Sequence, residues 1–414
     1  MSVYSSYLES EAVREHSQRW AKEIEEVSLC TQVPRGIKRN VVQIPVCARE
    51  QNLSLALSAL ESCDLDPRDD EVIILINNGT AGEVQRILAE TISFSETNPL
   101  FPLRCFVARN LQIFENLSQI RAALDILAMS TLPDMSDNTL GQTMFITHDA
   151  DMRGIAPDYF EQMYRYFGNP NVYMIGGDVK VRTEHPIVLL LHSVDVEMYR
   201  VFLKTGHCKP RTYGGNVALR ASTLFSLGGH SLSLKRKANN ALRDALLESK
   251  GIESVLYGQE MYVETSDRRE IACVEKWIAY VRKNLECELG LDLGYSQNMY
   301  NFRAPLDSIR YMEERITLIE SQLTQMLFKN IMTYLSFDQR SSGLNIEYKS
   351  MQREELVSRI ENDMDLCAIV DEVIDLFTTI CKRLGVSIKT DGNFNVSIEN
   401  FETEECSQLV SLAS

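Results

Sequence analysis

Apolar runs closed by Pro, Asn, Asp or Gly alternate with stretches of helical spacing through the first part of the chain. Residues 40–47, 71–76, 105–108 and 144–147 are the runs, and their length and β-branched content predict strands. Residues 53–62, 83–91 and 117–129 carry helical spacing between them, so the order of elements predicts a parallel, doubly wound sheet. Ahead of the first strand, residues 9–27 are charged with apolar points at Val13, Trp20, Ile24 and Val27, which predicts an amphipathic helix ended by Pro34 and Gly36.

Beyond residue 147 the pattern predicts a helix over 157–167 with Asp158 at its start, a strand over 172–175, and a glycine turn leading into a strand over 213–220. A short helix over 221–227 is closed by Gly228 and Gly229, a basic-started helix runs over 235–250 with Gly251 past its end, and 252–265 is strand-like in parts. From about residue 305 the character changes. Ile309, Met312, Ile316, Ile319, Leu323 and Met326 form one helical seam, predicted to pack on a body rather than to build a coiled coil. A second helical stretch over 356–384 follows, then strict alternation over 386–398 around Asp391-Gly392, a hairpin signal.

Charge narrows the possible partners. The chain of 414 residues has 42 Lys+Arg against 58 Asp+Glu, a formal net charge of -16, so its surface repels nucleic acid and anionic membranes. A phosphate-bearing ligand would need a local basic pocket. The longest apolar run near mid-chain, residues 186–191, is far too short for a bilayer, which takes about 20 residues. Residues 1–7 are polar and lack the regions of a signal peptide, and the ten cysteines include no C-x-x-C pair. Together these predict a cytoplasmic protein with reduced, mostly buried thiols.

The chemistry concentrates where the run Met144 to Thr147 ends in His148-Asp149-Ala150-Asp151. A strand delivering Asp149 and Asp151 to its carboxyl end sets them in the crevice where open α/β sheets bind ligands. Period-two alternation aims both side chains the same way, or a turn brings them together. Two hard oxygen donors suit Mg²⁺ or Mn²⁺ completed by substrate phosphates and water. The simpler reading is a strand cap and turn. His148 should point away from Asp149 as a packed or hydrogen-bonded histidine.

In order along the chain, Pro45 with Arg49-Glu50, Asn77-Asn78-Gly79-Thr80, Asp149-Ala150-Asp151, Gly214-Gly215-Asn216 and Thr265 to Arg269 together resemble the family-2-type glycosyltransferases. The resemblance covers residues 40–269. It implies a single nucleotide-binding α/β domain around a mostly parallel sheet (GT-A-like), here with an N-terminal helix and a mainly helical C-terminal appendage. It implies further that Pro45 and Glu50 line the nucleotide pocket and that Asn77 stands where the family's Asp contacts the base. Asp149 and Asp151 match the D-x-D whose metal, Mn²⁺ or Mg²⁺, bridges the donor diphosphate, and Gly214, Gly215 and Asn216 match the turn that approaches the donor and acceptor sugars.

Basic residues stand out in so acidic a chain. Lys235, Arg236, Lys237, Arg268 and Arg269 are candidates to hold the diphosphate, or else a solvated helix end and a surface turn. Arg121 either faces the nucleotide or is an exposed helical Arg.

Two departures from the family pattern matter. Where it places a carboxylate pair as the acceptor base, this chain has Asn239-Asn240, and an amide cannot accept a proton at neutral pH. Asp244, one helical turn beyond Asn240, is then the nearest candidate base, with Glu248 further along the same face. Where related folds often place a His as third metal ligand, Thr265 or its neighbour stands.

The expected organisation is an N-terminal helical segment 1–38, a nucleotide-sugar-binding domain 39–304 and an appendage 305–414 able to oligomerise. The expected activity is transfer of a sugar from a nucleoside-diphosphate sugar to a saccharide, lipid-linked or small-molecule acceptor. The alternative is a catalytically silent nucleotide-sugar-binding or scaffold protein, and a third reading, a nucleotidyltransferase, lacks its glycine-rich phosphate loop in residues 47–52.

Overall fold

The structure is a computed structural model that describes residues 2–29, 40–97, 99–109, 113–130, 132, 136–183, 185–234, 238–267, 312–342 and 351–401. The chain forms two compact units, one of residues 1–182 with 210–266 and one of residues 183–209 with 267–414.

The first unit is built on a nine-stranded sheet. Its strands are β1 (Ile24–Val27), β2 (Asn40–Cys47), β3 (Asp70–Asn77), β4 (Leu103–Ala108), β5 (Met144–His148), β6 (Met152–Ile155), β7 (Met174–Arg182), β8 (Asn216–Arg220) and β9 (Val255–Ser266). They lie in the order β1-β4-β3-β2-β5-β8-β7-β9-β6. The block β4-β3-β2-β5 is parallel, as the strand and helix alternation requires. Beyond it β8 runs antiparallel to both β5 and β7, and β7 pairs in parallel with β9.

The continuous apolar runs follow from burial on both faces. All eight residues of β3 are buried. Val72, Ile74 and Ile76 point into one core, while Ile73 and Leu75 point into the other, the period of two that a pleated strand imposes. Helices α3 (Leu53–Glu61), α4 (Ala81–Glu96) and α7 (Tyr159–Phe167) cover the first core. The second is covered by α1 (Val3–Glu9), α2 (Glu11–Glu23), α5 (Leu117–Met129), α9 (Ala221–Ser226) and α10 (Ala238–Lys250), with α6 (Asp137–Gln142) beside α9. A capping box in which Thr80 and Glu83 bond each other's backbone starts α4.

Several elements depart from the sequence pattern or were not signalled by it, β6 and α6 among them. The helix predicted to Val27 stops at Glu23, and residues 24–27 form edge strand β1, antiparallel to β4. Cross-strand ion pairs Glu26–Arg104 (2.6 Å) and Glu25–Arg109 (2.9 Å) favour the strand, a tertiary reward that helical periodicity does not register. The apolar run at 186–191 opens a long helix, α8 (Pro186–Lys204), with Pro at its first turn.

In the second unit α8 packs with α11 (Met312–Ser342) and α13 (Met364–Arg383). Of the predicted seam, Ile319 and Leu323 are fully buried, Ile316 and Met326 are partly so, and Ile309 lies outside the described residues. The stretch read as one helix over 356–384 is two, α12 (Arg353–Asn362) and α13. Asp363 ends the first and caps the second by accepting from the Asp365 and Leu366 amides. The predicted hairpin is present as β10 (Val386–Thr390) and β11 (Val396–Phe401). Its turn is held by the Asp391 carboxylate, which takes the Asn393 and Asn395 amides.

No helix among the described residues is long and apolar enough to cross a membrane. Six described cysteines are free thiols. Burial pushes Cys63, Cys105 and Cys381 up to about 12, so their thiolates are scarce at neutral pH, whereas Cys47 is exposed. Iodoacetamide at pH 8 followed by mass spectrometry should therefore label Cys47 in the native chain and leave those three unlabelled until denaturant is added.

Candidate active site

In the parallel block the chain moves outward from β2 to β3 and β4, then returns to lay β5 on the other side of β2. The carboxyl ends of β2 and β5 therefore flank a topological switch point, where the flanking loops diverge and leave a crevice. Asp149 follows β5 directly, and residues 150–151 make a turn into β6. Asp149 is half-buried, whereas Asp151 is only 6% exposed.

The Gly214-Gly215 turn lies against Asp149 and Arg121. A methyl on Gly215 would sit 2.6 Å from Asp149 Oδ2, and one on Gly214 would sit 2.4 Å from Arg121 Nη2. With glycine at both positions the two side chains approach the backbone without displacement. Both carbonyls of the turn are tied back. Arg121 Nη2 donates to Gly214 O at 2.7 Å, and His148 Nδ1 lies 3.2 Å from Gly215 O.

Arg121 is thus buried at 3% exposure rather than an exposed helical Arg. Burial pulls its guanidinium below the ordinary value, and the Asp149 and Asp125 carboxylates pull it back up. His148 is packed, as expected, edge-on to Tyr159 at 5.3 Å, and burial pushes it down to about 4. It is neutral at physiological pH, and Nδ1–H donation to Gly215 O fixes its tautomer.

Asn216 is fully buried and makes three bonds: Tyr159 Oη donates to its Oδ1 at 2.6 Å, and its Nδ2 donates to Asp178 O (2.6 Å) and Met261 O (2.7 Å). Asn77, the last residue of β3, donates through Nδ2 to Val46 O and Leu75 O, tying the ends of β2 and β3 together. Pro45 lies within β2 opposite Leu75. Glu50, 8% exposed, accepts from the Gln51 amide at 3.0 Å, while its own carbonyl takes Arg86 Nη2.

The two asparagines at the start of α10 differ. Asn239 is buried beside His230, whose Nε2 is 2.9 Å from Asn239 Oδ1 and whose Nδ1 is 2.7 Å from Asp125 Oδ2. Asp125 also accepts from Gln43 Nε2 at 3.2 Å. No local sequence pattern signals this internal chain, since His230 and Asp125 are 105 positions apart and share no motif. Asn240 accepts from Thr212 Oγ1 at 2.9 Å, two residues before the glycine turn. Asp244 is half-exposed and accepts from Arg243 Nε and Nη2.

Asp149 and Asp151 are hard oxygen donors, and no group of three or more His, Cys, Asp or Glu among the described residues could hold a metal ion. Thr265 stands on β9 opposite Met152, and the next amide, Ser266 N, donates to Asp151 O at 3.4 Å. A threonine hydroxyl there is neutral and adds no charge. This donor set fits a small hard cation that takes its remaining oxygens from ligand and water. Lys235, Arg236, Lys237, Arg268 and Arg269 lie outside the described residues.

No family model matches the chain, and no curated protein matches it. Solved structures do. One is the mannosyltransferase PcManGT from Pyrobaculum calidifontis in complex with GDP-Man and Mn²⁺, at 12% identity and TM-score 0.41 over 90% of this chain and 94% of that one. Another is glucosyl-3-phosphoglycerate synthase from Mycobacterium tuberculosis with Mn²⁺, UDP-glucose and phosphoglyceric acid, at 11% identity and TM-score 0.33 over 55% and 71%. A third is S. aureus TarS 1-349, at 11% identity and TM-score 0.35 over 88% and 97%. Those ligands belong to the compared proteins.

The buried amide of Asn216 yields a stability prediction. Asn216→Ala leaves the Asp178 and Met261 carbonyls and the Tyr159 hydroxyl without that partner, each costing about 1–3 kcal/mol. Urea unfolding should show a loss on the order of 3 kcal/mol or more, against about 1 kcal/mol for Asn240→Ala, which removes one partly buried bond.

Proposed function

We propose that the chain is a glycosyltransferase that moves a sugar from a nucleoside-diphosphate sugar to an acceptor hydroxyl, using Mn²⁺ or Mg²⁺ held by Asp149 and Asp151. The observation that carries this reading is the crowding of the Gly215 backbone against Asp149 at the carboxyl edge of β5, with Gly214 against Arg121 beside it. A carboxylate pair at a switch point, beside a turn stripped of side chains, suits a flat, phosphate-linked ligand. A divalent cation held there would supply Lewis-acid stabilisation of the charge on a departing diphosphate.

The chain's own residues then have distinct tasks. Asp149 and Asp151 supply two negative oxygens and leave the rest of the coordination to the donor. Arg121 contributes a buried positive charge near Asp149 and holds the Gly214 carbonyl. The acceptor proton goes to Asp244 if transfer inverts the sugar, since Asn239 and Asn240 are amides; a retaining course would pass it to the leaving phosphate and need no base.

A second reading has an observation of its own. Asn239 is engaged by His230 and Asn240 by Thr212, so neither position offers a free proton acceptor. A nucleotide-sugar-binding protein without turnover accommodates that.

The deciding experiment screens nucleoside-diphosphate sugars with Mn²⁺ or Mg²⁺, following thermal stabilisation and nucleoside diphosphate release together. Stabilisation with release supports the transferase, stabilisation alone supports the silent binder, and neither with any donor rules out both. Calorimetry should find Mn²⁺ binding that strengthens when nucleoside diphosphate is present and is lost in Asp151→Asn. Equal affinity in that variant removes Asp151 from the metal site. With turnover established, Asp244→Asn should lower kcat at least about tenfold at unchanged nucleotide affinity, the low end of general-base effects. Unchanged kcat means Asp244 is not the base.

A further inference from the structure

The second unit carries a groove that the transferase reading does not use. It measures about 500 Å³ and lies among α12, the start of α13 and the turn of the β10–β11 hairpin. Its apolar lining includes Val357, Ile360, Met364, Ile374 and Phe394. Phe394 is the buried floor, whereas Met364 is 90% exposed at the mouth, the most exposed large apolar side chain of the described residues. Asp363 produces this shape: it breaks α12 from α13 and turns the chain at the mouth.

Charge identifies the occupant. Glu361, Asp371 and Asp391 line the groove, and no Lys or Arg is among its lining residues. Asp363, Asp365, Glu372 and Asp375 add to the acidic character of the same two helices, and all four are exposed. The charged residues that line the trough are all carboxylates, with Arg353 near Asp391 outside the lining, and such a trough is complementary to a chain with apolar side chains on one face and Lys or Arg beside them. A second copy of this chain fits poorly, since it would bring the same carboxylates and its own net charge of -16.

We propose that this groove docks a basic amphipathic segment of another polypeptide. Its apolar side chains lie over Ile360, Ile374 and Phe394, with its cations against Glu361 and Asp371. The flexible Met364 thioether adapts to side chains of different shape.

The test uses the full chain and a fluorescent peptide of Leu and Lys in helical spacing, about four turns long. A control peptide keeps every Lys and replaces Leu with Ser. Cys367 lines the groove, and exposed Cys47 belongs to the other unit, so alkylation of the two reports where the peptide sits. Binding of the Leu/Lys peptide should slow alkylation of Cys367 several-fold and leave Cys47 unchanged. The control peptide should bind at least about tenfold more weakly, a difference of roughly 1.4 kcal/mol. Glu361→Lys with Asp371→Lys, and separately Met364→Glu, should each weaken the Leu/Lys peptide at least tenfold, and all three side chains are exposed enough for the fold to accept the change. The proposal is overturned by equal binding of the two peptides, by binding that leaves Cys367 unprotected, by the absence of binding, or by a dimer in solution that Met364→Glu dissolves.

Discussion

One uncharged amide holds the candidate site in register. Asn216 begins β8, immediately after the glycine turn, and its side chain joins α7 through Tyr159, β7 through Asp178 and β9 through Met261. A buried amide with its hydrogen bonds made is a rigid joint; with them broken it is a liability of several kcal/mol. β8 runs against both of its neighbours, β5 and β7, so the joint sits where the strand direction reverses. Gly215 is covalently next to it and inherits its position. The closeness of backbone to the Asp149 carboxylate is thus set by a residue that faces inward.

Much of this was legible in the sequence, for specific reasons. β2, β3 and β5 are buried on both faces, and a doubly buried strand must be written almost wholly in apolar residues. Asp149 and Asp151 were visible because two carboxylates interrupt such a run, and the hairpin because Asp391-Gly392 sits between two alternating stretches. β1 was not legible, since Glu25 and Glu26 find their reward in Arg109 and Arg104, roughly 80 residues away. Asp125, His230 and Gln43 escaped for the same reason: their pairing is a product of the fold, and no local pattern encodes it. The role of Arg121 was half visible, because helical spacing could not say which side of α5 faced the core.

The buried polar chain gives the two asparagines of α10 different meanings. Asn239 belongs to the interior and answers to His230, so a carboxylate in its place would set a second negative charge near Asp125. Asn240 belongs to the loop before the glycine turn through Thr212. Their amide character therefore has a structural cause at one position at least, independent of any catalytic history.

The helix α8 has a consequence for how the protein is made. Its buried residues Ile187, Val188, Leu190, Val194, Met198 and Phe202 are matched by α11 and α13, and α11 begins about 110 residues after α8 ends. At about 5–20 residues per second, a ribosome exposes α8 for roughly 5–20 s before the first of those helices has even begun to emerge. During that interval β8 and β9 can complete the sheet, while a strongly apolar helix waits without its partners. Synthesis rate and chaperone supply should consequently affect the yield of this chain.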